Sequence, residues 1–240
     1  MTTANSTKNF SKGIPDTLKD EPFYGMILDE EQQYFRDKIW DKDTLIVIAD
    51  ARAGTGKTTI AVGTANLLVH YGRYDGIVYI ASPTMEQKQG YLPGTIEDKS
   101  EPYFDPLYEA MIKCNINRNI SMVSDITSQK NGTAFIECIT HTFLRGTNFE
   151  NKVIIIDEAA NYYTDELKKV LTRIHDSCKT ILIGHTGQVD LYKNKDRSGF
   201  KYYLDHFSKV LNDPRVAMCT LSKNYRGWLS NYSDELTVEY

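Results

Sequence analysis

The chain alternates short apolar runs rich in β-branched residues with longer segments of helical periodicity. This alternation is typical of a parallel sheet covered by helices. The pattern predicts strands over Thr44–Ala49, Gly76–Ser82, Lys152–Ile156, Lys179–Ile183 and Val216–Leu221. We therefore expect an α/β fold with three layers and a mainly parallel sheet.

Two segments show clear helical spacing. In Thr164–Ile174 the apolar residues recur at i, i+3, i+4 and i+7, with Thr164 as the predicted N-cap. The segment Lys57–Tyr71 is followed by Gly72, a residue that commonly ends helices. Both segments are expected to cover the sheet.

An inserted β-hairpin is also predicted. The runs Ile120–Ile126 and Thr133–Ile139 flank the dipeptide Asn131-Gly132, which favours a tight turn between two antiparallel strands. Residues 1–22 lack apolar periodicity and are predicted to form a flexible N-terminal arm, and residues 23–240 are predicted to form a single domain.

Composition narrows the class of protein. The 240 residues are 41% hydrophobic and 25% charged, which excludes an intrinsically disordered chain. The net charge of −4 gives no overall positive field for nucleic acid. No apolar run is long enough for a membrane span, so we expect a cytoplasmic protein with no membrane partner. The cysteines, expected to be buried thiols rather than a metal or redox site, are Cys114, Cys138, Cys178 and Cys219.

A phosphate-binding loop follows the first predicted strand. Gly54 and Gly56 let backbone N–H groups turn toward a phosphate, Lys57 can reach the β- and γ-phosphate oxygens, and Thr58 can hold Mg²⁺. The predicted nucleotide-binding residues are Ala51, Arg52, Ala53, Gly54, Thr55, Gly56, Lys57, Thr58 and Thr59. The alternative is a glycine-rich turn unrelated to phosphate.

Ala51 departs from the phosphate-loop pattern, which has glycine at this position. If the position required a positive φ angle, alanine would cost about 1 kcal/mol or more.

A second acidic motif ends the apolar strand Lys152–Ile156. Asp157 is the candidate for orienting the water shell of Mg²⁺, and Glu158 is the candidate for polarising the water that attacks the γ-phosphate. The alternative is a solvated acidic pair at a helix start.

Gln188 follows the strand Lys179–Ile183 and is a candidate sensor that hydrogen-bonds the attacking water and the γ-phosphate. The alternative is a polar loop residue. His185 in the same segment is more typical of a structural histidine than of a catalytic one.

The motifs in this order resemble the PhoH-like ATPases, whose RecA-like core is related to the superfamily-one helicases. The resemblance covers roughly residues 27–226. Beyond the phosphate loop, its most specific stretch comprises Pro83-Thr-Met-Glu86, Gly90-Tyr-Leu-Pro-Gly94, Glu97-Asp-Lys99 and Pro102-Tyr-Phe-Asp-Pro-Leu-Tyr108. Further matches to the family pattern are Leu144-Arg145-Gly146, Asp157-Glu-Ala-Ala-Asn161, Leu171-Thr-Arg-Ile174 and Gly184 with Gln188-Val-Asp-Leu191. The resemblance implies hydrolysis of ATP with Mg²⁺ as the cofactor.

Adenine recognition is implied by Leu28-Asp-Glu-Glu-Gln32, which resembles the helicase Q motif. The amide of Gln32 offers a donor and an acceptor that suit the N7 and N6 edge of adenine. Gln33 is the alternative.

The single core leaves the nucleotide site without a second domain, so the resemblance implies a homo-oligomer, a ring of six. Arg226 and Arg145 are candidate arginine fingers supplied by a neighbouring subunit, although Arg226 could be a surface arginine. Single-stranded RNA or DNA is the implied partner. Candidate contacts are Lys168, Lys169, Arg173, Lys193, Lys195, Arg197, Lys201, Tyr162 and Tyr163.

Departures from the family pattern keep two other functions open. Ser82, Ala160 and His185 replace an arginine, a glutamine and an aspartate of the family. Since Ala160 lacks the side-chain amide, coupling to nucleic acid is affected more than hydrolysis. The chain could instead be a nucleotide-gated binding module with little turnover, or a small-molecule phosphotransferase.

Overall fold

The core of the fold is a six-stranded parallel sheet with strand order β3-β2-β4-β5-β1-β6. The computed structural model describes residues 13–18, 23–82, 101–124, 126–144, 146–187, 198–234 and 236. The strands are β1 (Ile46–Ala51), β2 (Gly76–Ala81), β3 (Ile136–Thr140), β4 (Lys152–Ile156), β5 (Lys179–Gly184) and β6 (Val216–Leu221).

Helices cover both faces of this sheet. They are α1 (Glu30–Trp40), α2 (Lys57–His70), α3 (Asp105–Lys113), α4 (Arg118–Ser121), α5 (Ile126–Lys130), α6 (Thr164–Leu171), α7 (Gly199–Phe207) and α8 (Trp228–Asp234). The predicted three-layer α/β fold with a parallel sheet is therefore confirmed.

Alternate side chains of each central strand enter opposite cores because successive residues of a strand point to opposite faces. In β2, Ile77 and Tyr79 join the core beneath α1, α2 and α3. Val78 and Ile80 join the core beneath α6 and α7. The side chains on both faces of the sheet are buried, and this explains why the sequences of these strands are continuously apolar.

The strand order brings the motif-bearing loops together. β5 lies between β1 and β4 and pairs in parallel with both. The carboxyl ends of the three strands therefore meet at one edge, where the phosphate loop follows β1 and the acidic motif follows β4.

The predicted strands all form, with shifted ends at three of them. β1 begins at Ile46 instead of Thr44 and continues through Ala51, while β2 and β5 end at Ala81 and Gly184.

The predicted β-hairpin is wrong. Residues 126–130 form α5, and β3 pairs in parallel with β2. The Asn131-Gly132 dipeptide ends α5 instead: the N–H of Gly132 donates to Gln129 O, the N–H of Thr133 donates to Ser128 O, and Gly132 has φ +64°. This is the Schellman helix stop, which needs the same left-handed glycine as a hairpin turn.

Helix α6 differs from its prediction at both ends. Its N-cap is Tyr163, one residue before Thr164, and the Tyr163 N–H donates to a Glu166 carboxylate oxygen at 2.9 Å. The helix ends at Leu171 with Thr172 as its C-cap, and Ile174 instead forms a β-bridge with Phe149. Helix α2 ends at His70, close to its predicted end.

Part of the predicted N-terminal arm packs on the domain. Leu18 is buried in the core, and the carbonyl of Pro15 accepts a hydrogen bond from the Trp40 indole at 3.0 Å. Residues 13–18 therefore contact the domain, whereas residues 1–12 and 19–22 lie outside the described residues. The flexibility of the arm and the single domain over residues 23–240 stay predictions. In the part of the chain that is described, no helix is long and apolar enough to cross a membrane.

Replacing Gly132 by alanine tests the helix stop. We expect Gly132→Ala to lower the free energy of unfolding by about 1 kcal/mol, because alanine resists a positive φ angle. Gly13→Ala is the matched control, since Gly13 has neither a positive φ nor a close neighbour. Denaturant titration measures both, and equal stability of the two variants would contradict the assignment.

Candidate functional site

The phosphate loop connects β1 to α2 through two glycines in the left-handed region. Gly54 has φ +75° and Gly56 has φ +79°. Ala51 is the buried last residue of β1 and is not among the described residues with positive φ. The alanine that departs from the loop pattern therefore costs no backbone strain.

The loop is held by contacts to β6 and to α1, and by one hydrogen bond within the loop. The Arg52 N–H donates to Leu221 O of β6 at 3.0 Å. The hydroxyl of Thr55 donates to Arg52 O, and the carbonyl of Thr55 accepts from Gln32 Nε2 at 2.8 Å. These bonds hold the loop in one conformation, which lowers the entropy cost of binding a ligand.

The amide of Gln32 joins helix α1 to this loop. Its Nε2 donates to Thr55 O, and its Oε1 accepts the N–H of Asp29, the N-cap of α1. Gln33 donates from Nε2 to Leu28 O at 2.8 Å. Both glutamines lie in the first turns of α1, and Gln32 contacts the phosphate loop. Adenine recognition by either one stays a prediction.

Lys57 is the buried first residue of α2, and its ammonium faces the acidic motif. Its Nζ lies 3.4 Å from the carbonyl of Ala51 and 3.5 Å from Glu158 Oε1. The Lys57 side chain is 8% exposed and that of Glu158 is 45% exposed. Lys57, the predicted phosphate-binding cation, is therefore paired with Glu158, the carboxylate predicted to polarise the attacking water.

Glu158 has an unusual backbone conformation. Its φ of +50° and ψ of +42° lie in the left-handed region, which costs a residue other than glycine roughly 1–2 kcal/mol. Strain of this kind is concentrated at functional sites. It supports an interpretation of Glu158 as a group held in position for chemistry.

Asp157 is buried and receives hydrogen bonds on both carboxylate oxygens. Oδ2 accepts from the Thr58 hydroxyl at 2.7 Å and from the Tyr79 hydroxyl at 2.8 Å. Oδ1 accepts from the N–H of Glu158 at 2.8 Å. The two predicted Mg²⁺ residues, Thr58 and Asp157, are thus in direct contact.

Tyr79 was missed by the sequence analysis. Burial and the adjacent Asp157 carboxylate raise the pKa of its hydroxyl well above the ordinary value, so it stays a protonated donor. A usable signal was present, because a buried tyrosine inside an apolar strand needs a partner for its hydroxyl.

A second cluster joins the ends of β1 and β5. The carboxylate of Asp50 accepts from the Thr186 hydroxyl at 2.8 Å, from the Thr186 N–H at 3.1 Å, and faces His185 Nδ1 at 3.2 Å. His185 is therefore in a structural contact, as expected. Asp50 was also missed, since only the tertiary fold brings these strand ends together.

Gln188 and Arg145 lie outside the described residues, as do Lys193, Lys195 and Arg197. Gln188 follows the described segment ending at Gly187, in the connection after β5. The roles assigned to these residues stay predictions.

Arg226 belongs to a segment that lies against the phosphate loop of its own chain. The Tyr225 N–H donates to Gly54 O at 2.9 Å, and the Tyr225 hydroxyl donates to Asp29 at 2.6 Å. A Cβ built on Gly54 would lie 2.2 Å from Asn224 Oδ1 and 3.0 Å from Arg226 Cγ. Glycine is therefore required at position 54 both for its φ angle and for this close approach.

Tyr162 is fully buried and cannot act as a stacking surface for bases. Its hydroxyl donates to the Ile80 carbonyl at 3.1 Å in the core beneath α6 and α7. Burial raises the pKa of this hydroxyl well above its ordinary value. Its prediction as a nucleic-acid contact was wrong because the apolar side of the acidic-motif loop turns inward.

The described candidate cations lie mostly at the surface. Lys168, Lys169 and Lys201 are exposed, and Arg173 is partly buried. Lys169 pairs with Asp165 one helical turn away at 3.0 Å. Arg173 Nη1 donates to Thr147 O at 3.3 Å.

The cysteines form no disulfide bond among the described residues, and Cys114, Cys178 and Cys219 are buried. Cys138 is partly buried. Burial raises the pKa of the Cys114, Cys138 and Cys219 thiols to about 12, which disfavours the reactive thiolate.

Comparison with known proteins matches residues 27–226 to the family described as PhoH-like protein. Protein PhoH2 of Bacillus subtilis (strain 168) is 29% identical over 199 residues, which are 81% of this chain and 43% of that protein. Protein PhoH of Escherichia coli (strain K12) is 30% identical over 61% of this chain and 40% of its own length. The chain thus spans less than half the length of these relatives.

Two solved structures show weaker similarity. A Sulfolobus solfataricus SWI2/SNF2 ATPase core in complex with dsDNA has a TM-score of 0.43 at 15% identity, over 82% of this chain and 45% of that one. The Pyrococcus furiosus Hef helicase domain has a TM-score of 0.40 at 16% identity, over 80% of this chain and 38% of that one.

Removing the Asp50 carboxylate tests the link between β1 and β5. We expect Asp50→Ala to increase the hydrogen-exchange rate of the Thr186 amide about tenfold, because that N–H and the Thr186 hydroxyl lose their acceptor. Asp50→Asn retains an acceptor oxygen and is the control. An unchanged exchange rate in Asp50→Ala would contradict the link.

Proposed function

Because this chain belongs to the PhoH-like family of P-loop NTPases, we propose that it binds ATP and hydrolyses it in a Mg²⁺-dependent reaction. The observation that carries the proposal is the convergence of Lys57, Thr58, Asp157 and Glu158 at the carboxyl edge of β1 and β4. These residues supply the cation, hydroxyl and carboxylates that phosphoryl transfer requires.

The donor set fits a nucleotide phosphate. The loop has left-handed glycines at positions 54 and 56, and α2 begins directly after it at Lys57. A helix start and a turn of backbone N–H groups both favour an anion. We propose that Lys57 leaves Glu158 and pairs with the β- and γ-phosphates when ATP binds.

The donor set also fits Mg²⁺. Thr58 offers a hydroxyl oxygen and Asp157 a carboxylate, the hard oxygen ligands that this ion prefers. In the proposal Thr58 contacts the ion and Asp157 orients its water shell. When bound, the ion neutralises charge on the phosphate oxygens.

Glu158 is the proposed group that accepts a proton from the attacking water. Its side chain is half-exposed and within 3.5 Å of Lys57, at the end of β4. Release from Lys57 would leave the carboxylate available to water beside the γ-phosphate. Gln188, after β5, is proposed to contact that same water.

The proposal also includes arginine residues that neutralise phosphate charge and a contact with nucleic acid. Arg226 lies beside Gly54 of its own chain, so it could neutralise phosphate charge without a neighbouring subunit. Arg145 is proposed for the same role from a neighbour in a homo-oligomer. The described exposed lysines on α6 and α7 support a local contact with single-stranded RNA or DNA.

A nucleotide-gated binding module is the second candidate, and the geometry of the C-terminal segment favours it. Tyr225 binds Gly54 of the phosphate loop, and α8 follows directly. Trp228 on α8 is 75% exposed, and Leu229 and Tyr232 are also exposed. A rearrangement of the phosphate loop on ATP binding would therefore move the exposed apolar surface of α8, to which a partner protein could bind.

Two substitutions separate binding from hydrolysis. We expect Lys57→Ala to lower turnover by roughly 10² to 10³ through lost phosphate contacts. Glu158→Gln should keep ATP binding and lose turnover by about 10² to 10⁴, because the amide cannot accept the proton. Labelled-ATP binding and phosphate release measure the two effects, and a Glu158→Gln protein with full turnover would refute its role.

Coupling to nucleic acid is tested by phosphate release with and without single-stranded RNA and DNA, with Lys57→Ala as the blank. We expect turnover to rise with one of the strands, which then identifies the partner class. Tight ATP binding without turnover under any condition would favour the nucleotide-gated module. Turnover that appears only with an added small phosphate acceptor would favour a phosphotransferase.

A further inference from the structure

The buried carboxylate of Asp157 has two side-chain donors on the same oxygen, and they differ in freedom. The Thr58 hydroxyl lies in the first turn of α2 and is partly exposed. The Tyr79 hydroxyl comes from the middle of β2 and is buried. The two donors therefore respond differently when a ligand enters.

Tyr79 is fixed on both sides by the sheet. Its backbone pairs in register with Cys138 of β3 and with Ile155 of β4. Its ring lies in the core beneath α1, α2 and α3, with 1% of the residue exposed. The hydroxyl therefore cannot exchange its partner for water without a local opening of the core.

Thr58, in contrast, has a second proposed task. The hydroxyl that donates to Asp157 is also the proposed contact for Mg²⁺. The Thr58 hydroxyl must therefore accommodate both Asp157 and the ion, whereas the Tyr79 hydroxyl, among the described residues, hydrogen-bonds to Asp157 alone. With the Glu158 N–H on Oδ1 and Tyr79 on Oδ2, the plane of the carboxylate is defined without Thr58.

We infer that Tyr79 is a positioning residue for the Mg²⁺ site, acting through Asp157. Its hydroxyl holds Oδ2 in the orientation from which Asp157 orders the water shell of the ion. Neighbours that hydrogen-bond a metal-site carboxylate fix its orientation, and their loss commonly weakens metal affinity 10-fold to 100-fold. The inference rests on the proposed function, because it concerns the same site.

The test compares two buried tyrosines that each lose a hydroxyl. Tyr79→Phe removes the donor to Asp157, and Tyr162→Phe removes a donor to the Ile80 backbone carbonyl. Both rings are fully buried, so the two variants are matched in packing. We expect Tyr79→Phe to raise the Mg²⁺ concentration for half-maximal binding of labelled ATP about tenfold. Tyr162→Phe should leave it within twofold.

Two further readouts separate positioning from a general structural effect. Affinity for ATP in the presence of EDTA should stay within twofold in Tyr79→Phe, because the phosphate-loop contacts are unchanged. In an Asp157→Ala background, Tyr79→Phe should cause no additional change in Mg²⁺ dependence, because the two residues act as one unit. Additive effects of the two substitutions would overturn the inference.

The remaining outcomes are also decisive. A wild-type chain that binds no ATP with Mg²⁺ would overturn the proposed function together with this inference. Wild-type binding with an unchanged or lower Mg²⁺ requirement in Tyr79→Phe would overturn the inference alone. If Tyr79→Phe does not fold, NMR of the wild-type chain labelled at tyrosine decides: the Tyr79 hydroxyl proton must stay protected from exchange after ATP and Mg²⁺ are added. Loss of that protection would overturn the inference.

Discussion

Asp157 is 2% exposed at the end of β4, and burial of a carboxylate is costly unless hydrogen bonds compensate it. The compensation comes from Thr58 on α2, Tyr79 on β2 and the N–H of Glu158. One buried group thus ties the first helix after the phosphate loop to two strands of the sheet. The relative positions of the phosphate loop and the acidic motif depend on this arrangement.

The Lys57–Glu158 ion pair follows from the same arrangement. Asp157 is anchored inside the protein. Glu158, the next residue, takes a left-handed conformation, and its side chain lies against Lys57. The Lys57 ammonium and the Glu158 carboxylate are paired at 3.5 Å. In the proposed mechanism, an incoming phosphate competes with Glu158 for Lys57 and releases the carboxylate beside the attacking water, so that ligand binding and formation of the base are coupled.

The phosphate loop is also connected to the far end of the chain. Gly54 is packed against Asn224 and Arg226, and Leu221 of β6 accepts the Arg52 N–H. Ser222 and Tyr225 bind Glu31 and Asp29 at the start of α1. The loop, the α1 segment proposed for adenine and the exposed helix α8 are therefore parts of one contact network. This network connects the phosphate loop to the exposed helix α8.

The sequence by itself determined the α/β class, the positions of most strands, the phosphate loop and the order of its catalytic candidates, because these depend on local periodicity and short motifs. It could not determine what Asn131-Gly132 does, since a left-handed glycine serves a helix stop and a hairpin turn equally well. It also missed Tyr79 and Asp50, whose partners lie 78 and 135 or more residues away in the chain. Those contacts exist because the parallel strand order places β2 beside β4 and β1 beside β5, and that order was decided by tertiary packing.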